Sequence, residues 1–153
     1  GMYVPEYLPP LTVEALRAWH ALDFPLLAAE VLHLFMYADI SKAELQQICV
    51  DAFKSFDAPE VLPVVRVDRF MVLELMHGPT LAFKDVGQQI LGRLIDLFLR
   101  RQNATATVVV ETSGDTGPAA IAGVQGLHNV QVFCLYPRGR VSPLQEKQMT
   151  TCD

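Results

Sequence analysis

The sequence predicts an α/β fold, with a helical segment over residues 1–60 followed by a partial parallel-sheet βαβ unit over 61–153. Three observations predict it. Apolar residues recur at helical spacing behind successive helix-start signals in the first third. From Val61 onward, short β-branched runs appear: Val61 to Val67, Phe70 to Leu75, Thr105 to Glu111 and Val130 to Tyr136. Longer amphipathic stretches alternate with those runs, which is the pattern of strands joined by crossover helices. With 153 residues, 51% of them hydrophobic, the chain can bury one core of ordinary size, so one domain or part of a larger one is expected.

Each element has a local cause. Pro9-Pro10 precede LTVEALRAWHAL, a first helix; Asp23 and Pro25 can open a second that runs through Tyr37; Ser41-x-x-Glu44 matches a capping box for a third. After the two strand-like runs that follow, Leu81 to Arg101 supplies one long helix with Leu91, Leu94, Ile95, Phe98 and Leu99 on one face. Pro118 to Gln125 supplies a shorter one between the last two runs. Near the end, SPLQEKQMTT reads as the start of another helix. A chain that stopped in mid-crossover would leave Val130 to Tyr136 without the cover that parallel sheets have on both faces, so a piece of a longer protein is expected.

Charge and cysteine usage exclude several classes. The formal net charge is −5 and the basic residues are scattered, which leaves no electrostatic footprint for nucleic acid or an anionic membrane. Small-molecule or protein partners are favoured. Cys49, Cys134 and Cys152 form no CxxC pair and are odd in number, so neither a disulfide framework nor a zinc site is supported, and a reducing cytoplasm fits best. The most apolar stretch, Phe24 to Ala38, is interrupted by Glu30 and His33, and no signal peptide or membrane span is read. Nothing in the sequence specifies an oligomeric state.

Two stretches carry chemistry. TVVVETSGDTGPAAIAG, residues 107–123, reads as a strand, a small polar turn and a helix. Gly114 and Gly117 allow a tight turn, Pro118 suits the first helical position, and the freed N–H groups could receive a carboxylate or phosphate. An ordinary βα turn capped by Thr116 or Asp115 remains an equal reading. The stretch has neither GxGxxG spacing nor a GK[ST] ending, which disfavours nucleotide binding. The second stretch, ELMHGPTLAFKD, places Lys84 near a helix start, where the dipole disfavours a cation, beside apolar Phe83 and Ala82, which raise the cost of carrying charge. For an isolated lysine a solvated surface charge is the ordinary reading. A lysine whose neutral form is favoured can instead attack a carbonyl and form a Schiff base.

Three blocks in this order and spacing, Glu74 to Asp85, Thr112 to Gly117, and Tyr136-Pro137-Arg138-Gly139 with Ser142 to Lys147, resemble threonine synthase; so do Gly1 to Pro5 and the helices after them. The resemblance covers essentially the whole chain. It implies a pyridoxal 5′-phosphate enzyme of fold type II, the fold of the tryptophan synthase β-subunit, which converts O-phospho-L-homoserine and water to L-threonine and phosphate. It further implies that Lys84 holds the cofactor as a Schiff base, with Phe83 and the HGPT loop as a wall beside it. Ser113, Gly114, Asp115 and Thr116 would meet the substrate carboxylate, with Asp115 also near the cofactor ring. His77, Thr80, Arg138 and Lys147 are candidate helpers, though the plain reading of each as a loop or surface residue is preferred. Pro118 and Val86 are modest departures from the family blocks. In the family, the glycine-rich phosphate loop and the partner of the pyridine nitrogen come from sequence beyond residue 153, so strong cofactor binding or turnover is not expected of these residues alone. A threonine-synthase-like phospho-lyase and a truncated, non-catalytic interaction module stand as alternatives.

Overall fold

Capping fixes the three helices that open the chain. Thr12 accepts a hydrogen bond from the Ala15 amide and starts α1, Val13–Trp19; Asp23 does the same for Leu26 at α2, Phe24–Met36, with Pro25 in the first turn. Ser41 and Glu44 close a reciprocal box, with the Ser41 amide donating to the Glu44 carboxylate at 3.2 Å and the Glu44 amide donating to Ser41 Oγ at 3.3 Å, and open α3, Lys42–Phe53. The sequence places all three helices, and Asp23, Pro25 and the Ser41–Glu44 box act as expected. The computed structural model describes residues 3–152; Gly1 and Met2, part of the opening run that carries the resemblance, and Asp153 lie outside the described residues. These divide into two units, up to Asp51 and from Ala52.

Within the first unit, Ala29, Ile40, Leu45 and Cys49 are buried, and Lys42 on α3 pairs with Glu30 on α2 at 2.5 Å.

The second unit corrects one expectation. Val61 to Val67 and Phe70 to Leu75 do not join the parallel sheet. They form β1, Val64–Val67, and β2, Phe70–Leu73, an antiparallel pair in which Val67 faces Phe70. The reason is length. Only Asp68 and Arg69 lie between the strands, which suffices for a hairpin but not for a crossover of a dozen residues or more, and Asp68 takes the left-handed conformation with φ 54°.

The parallel pair is β3, Ala106–Glu111, with β4, Val130–Leu135, in the register Ala106 opposite Val130 through Glu111 opposite Leu135. α5, Thr116–Val124, makes the crossover, and α4, Lys84–Gln102, packs on it. The helices meet through glycine. A Cβ on Gly92 would lie 2.0 Å from the Gly123 carbonyl oxygen, and one on Gly123 would lie 2.5 Å from that of Gln88. The buried residues of α4 are Asp85, Gln89, Gly92 and Asp96, at helical spacing; on the apolar face that the sequence marks, Leu94, Ile95, Phe98 and Leu99 are half-buried and Leu91 is exposed. Asp96 is held by the Asn129 side-chain amide and Arg100, both at 2.9 Å.

One face of the parallel pair is sheltered. Along β3 burial alternates, and the outward residues Val109, Phe133 and Leu135 are 63%, 60% and 58% exposed. The helix sensed in SPLQEKQMTT is present as α6, Pro143–Thr150, with Ser142 and Gln145 closing a capping box. Among the described residues no helix is long and apolar enough to cross a membrane.

Candidate active site

The long helix α4 begins at Lys84, three residues later than the sequence suggests. Leu81 causes the delay, because its φ of 62° lies in the left-handed region, which breaks helical continuation. The turn ahead of it closes with the Leu81 amide donating to the Gly78 carbonyl at 3.1 Å. Phe83 occupies the N-cap position and contributes no side-chain cap. The cation is thus placed on the first helical residue, as the dipole argument requires.

Its side chain reaches across the fold. Lys84 Nζ donates to Asp115 Oδ1 at 2.9 Å, over a separation of 31 residues, and lies 4.3 Å from the centre of the Phe83 ring. Both partners attract an ammonium, so Phe83, expected from the sequence to raise the cost of the charge, instead offers it the face of its ring. The pair is half-sheltered, with side-chain exposures of 27% and 43%. Hydrogen bonding from Lys84 holds the Asp115 carboxyl below its usual range. Asp115 sits at the N-cap of α5 yet makes no capping bond there, so the carboxylate that could cap its own helix serves another one.

The turn that presents Asp115 is built locally. Thr112 is buried, its hydroxyl receiving the Gly114 amide at 3.1 Å. Gly117 is required by packing, because a Cβ there would lie within 2.7 Å of Thr112, Cys134 and Met149. A Cβ on Gly114 would stand 3.2 Å from the Gln145 amide nitrogen, so α6 lies close against this turn. Ser113 is exposed, and Gly114, Asp115 and Thr116 are partly so.

α6 also touches the other loop, since Gln148 Nε2 donates to the Thr80 carbonyl at 3.2 Å. The three sequence blocks thereby frame one cleft of about 370 Å³ lined by residues that include Thr80, Ala82, Phe83, Asp115, Gln145 and Gln148. A second, open groove of about 680 Å³ lies at the C-terminal ends of β3 and β4, beside Ser113 and Tyr136, the end of a parallel sheet where ligands characteristically bind.

The candidate helpers separate. Thr80 lines the cleft, but its hydroxyl and amide donate to Asp85 at 2.7 and 2.9 Å. His77 has both ring nitrogens engaged, Nδ1 with Asp57 and Nε2 with Glu74, each at 2.7 Å. Hydrogen bonds to the carboxylates of Glu74 and then Asp57 raise its pKa above the ordinary histidine value. Arg138, in the loop after β4, and Lys147, on α6, are exposed. Sequence reasoning assigned no role to Asp85, Gln145 or Gln148. The capping spacing Ser142-x-x-Gln145 was a legible signal for one of them, whereas Gln148 depends on a contact across the fold and Asp85 on the conformation of its own loop. Among the described residues no group of His, Cys, Asp and Glu is arranged to hold a metal ion.

Comparison with known proteins places this geometry. Residues 1–53 match the family model described as threonine synthase N terminus. The threonine synthase of Schizosaccharomyces pombe is 44% identical over 161 residues, covering 99% of this chain and 31% of that protein. A threonine synthase-like 2 protein of Pongo abelii is 41% identical, covering 99% of this chain and 32% of its own length. The crystal structure of PLP-bound threonine synthase from Brucella melitensis superposes with a TM-score of 0.92 at 43% identity, over 98% of this chain and 32% of that one. The chain spans about a third of the length of the relatives it matches.

Proposed function

The chain is thus a counterpart of the N-terminal third of the threonine synthases, and from that premise we propose that it forms the lysine-bearing wall of a pyridoxal 5′-phosphate site. The whole protein, in this reading, turns O-phospho-L-homoserine and water into L-threonine and phosphate. The observation that carries it is the 2.9 Å bond from Lys84 Nζ to Asp115, which joins the two stretches singled out for chemistry. Residues 1–60 are read as a helical segment preceding the cofactor-binding part, residues 61–153. A cytoplasmic location, expected from cysteine usage, belongs to the same reading.

The residues present fit the cofactor. An aldehyde needs a primary amine beside a sheltered cleft, with a group that orients the amine. Lys84, the cleft at Thr80 to Phe83 and Asp115 supply these. When bound, pyridoxal phosphate supplies an electron sink for the substrate's carbon skeleton.

The protein's own part is positioning and proton transfer. Lys84 carries the cofactor and, when its amine is free, takes and returns protons at the substrate's Cα and Cβ. Asp115 orients that amine. Ser113, Gly114, Asp115 and Thr116 present the start of α5, where N–H groups and the helix dipole suit a carboxylate. Phe83 shields one side of Lys84 from water. Thr80 and His77, whose polar atoms are engaged within the protein, shape the loop rather than handle protons. The test is to add pyridoxal phosphate to the full-length protein, reduce with borohydride and map the modified peptide. Fixation on Lys84 in preference to Lys42, Lys54 and Lys147 is expected, whereas scattered fixation would contradict the assignment.

A threonine synthase and a threonine synthase-like 2 protein are each 41% identical to the chain, so similarity alone does not separate the synthase from the second reading, a threonine-synthase-like phospho-lyase. Products from O-phospho-L-homoserine, with the full-length enzyme, separate the two. Threonine with phosphate marks the synthase, and an oxo acid with phosphate marks the lyase.

A further inference from the structure

We propose that Asp85 is a positioning residue for Lys84, a buried carboxylate that staples the Gly78–Leu81 turn to the first turn of α4 and so sets the direction in which the lysine leaves the helix. The inference rests on the role of Lys84 proposed above.

Asp85 has no exposed surface. A carboxylate out of water is costly unless its oxygens are hydrogen-bonded, and both of these are: Oδ2 receives the Thr80 amide at 2.9 Å and Oδ1 the Thr80 hydroxyl at 2.7 Å. With the Thr80 carbonyl held by Gln148, all three polar groups of Thr80 are fixed. The fit on the opposite side is equally tight, because a Cβ on Gly78 would lie 2.5 Å from both Cβ and Oδ2 of Asp85.

The staple has something to hold. Leu81 is bulky and left-handed at φ 62°, a conformation that persists only where its surroundings enforce it. α4 has no side-chain cap at Phe83, so the usual means of fixing a first turn is missing. Asp85 follows Lys84 directly, and adjacent residues project about 100° apart around a helix. Pinning the one to the turn therefore fixes the rotation of the other, which is how Lys84 is aimed at Asp115 from a strained loop.

Thr80→Val removes the hydroxyl bond and keeps the shape, Thr80→Ser keeps both bonds, and Asp85→Asn sets an amide against the Thr80 donors. For each, made in the full-length protein, the readout is the share of borohydride-fixed pyridoxal phosphate on Lys84 relative to Lys54 and Lys147, with the thermal midpoint and the hydrogen exchange of the Thr80 amide measured alongside. A general loss of stability that leaves the native state populated does not move that ratio. Thr80→Val is expected to lower it about tenfold, short of the ~100-fold that a misplacement of an ångström can cost, with Thr80→Ser close to the parent and Thr80 exchange faster in Thr80→Val. If Asp85→Asn does not fold, the two Thr80 variants decide. A parent that shows no preference for Lys84 overturns the functional reading and this inference with it. A selective parent with an equally selective, folded Thr80→Val overturns this inference alone.

Discussion

Two helix starts in the second unit each carry an aspartate, and the two are used in opposite ways. At α4, Asp85 is wholly buried and spends both oxygens on Thr80, in its own loop. At α5, Asp115 is 43% exposed in its side chain, leaves its helix uncapped and reaches Lys84, 31 residues away. The first carboxylate makes a loop rigid; the second presents a reactive amine at a cleft. Residue type and helix position are nearly the same in both, so the difference lies in where the acceptor oxygens are satisfied. A buried carboxylate closed on its own loop marks structure, whereas a half-exposed one paired with a lysine from another element marks a place for chemistry.

Substitutions can break that contrast. Asp85→Ala leaves the Thr80 amide and hydroxyl without their acceptor, and a loss of about 2–4 kcal/mol in unfolding free energy is expected by denaturant titration. A loss no larger than that of Asp115→Ala would erase the distinction. Gly78→Ala drives a methyl into Asp85 and is expected to cost about 1–3 kcal/mol, read as a lower denaturation midpoint at unchanged slope.

The two loops also respond to opposite ends of the pH range. His77, clasped between Asp57 and Glu74, holds its proton more tightly in the folded chain. Its contribution is fully present below the ordinary histidine value of 6.5 and is lost as pH rises through the higher folded value. Asp115 holds its proton more weakly when folded, so its pair contributes above the ordinary value of 3.8 and is lost as pH falls through the lower folded value. Stability profiles of His77→Gln and Asp115→Asn should differ from the parent on the neutral-to-acid side of the histidine transition and above the carboxylate transition, respectively, and converge with it beyond those limits. The smallest effect is on Asp115→Ala at neutral pH, under about 1 kcal/mol because the pair is half-solvated, while its effect on cofactor fixation at Lys84 is expected to be the larger one.

What the sequence made legible follows the same division. Local signals were read correctly: Asp23 with Pro25 and the Ser41–Glu44 box mark helix starts because capping is settled within a few residues. The antiparallel β1–β2 pair was misassigned because the composition of its runs suits either kind of sheet, and only the two-residue connection distinguishes them. The start of α4 was placed too early because nothing in LAFKD announces a left-handed leucine. On its apolar face only Leu91 is exposed, while the close glycine contacts with α5 could not be read from periodicity. Lys84 stood out through its helix-start position, but its pairing with Asp115 is a tertiary fact, approached in the sequence only through the resemblance. Asp85 was invisible as a device, since its burial depends on a missing Cβ seven residues earlier.

The central claim is that Lys84 is presented to a cofactor at the turn bearing Asp115. Its most direct test is an electron-density map of the full-length protein after reaction with pyridoxal phosphate and borohydride. Continuous density from Lys84 Nζ into the cleft between Thr80, Asp115 and Gln148 is predicted. Density carried instead by Lys42, Lys54 or Lys147, with Lys84 unmodified, would contradict the account.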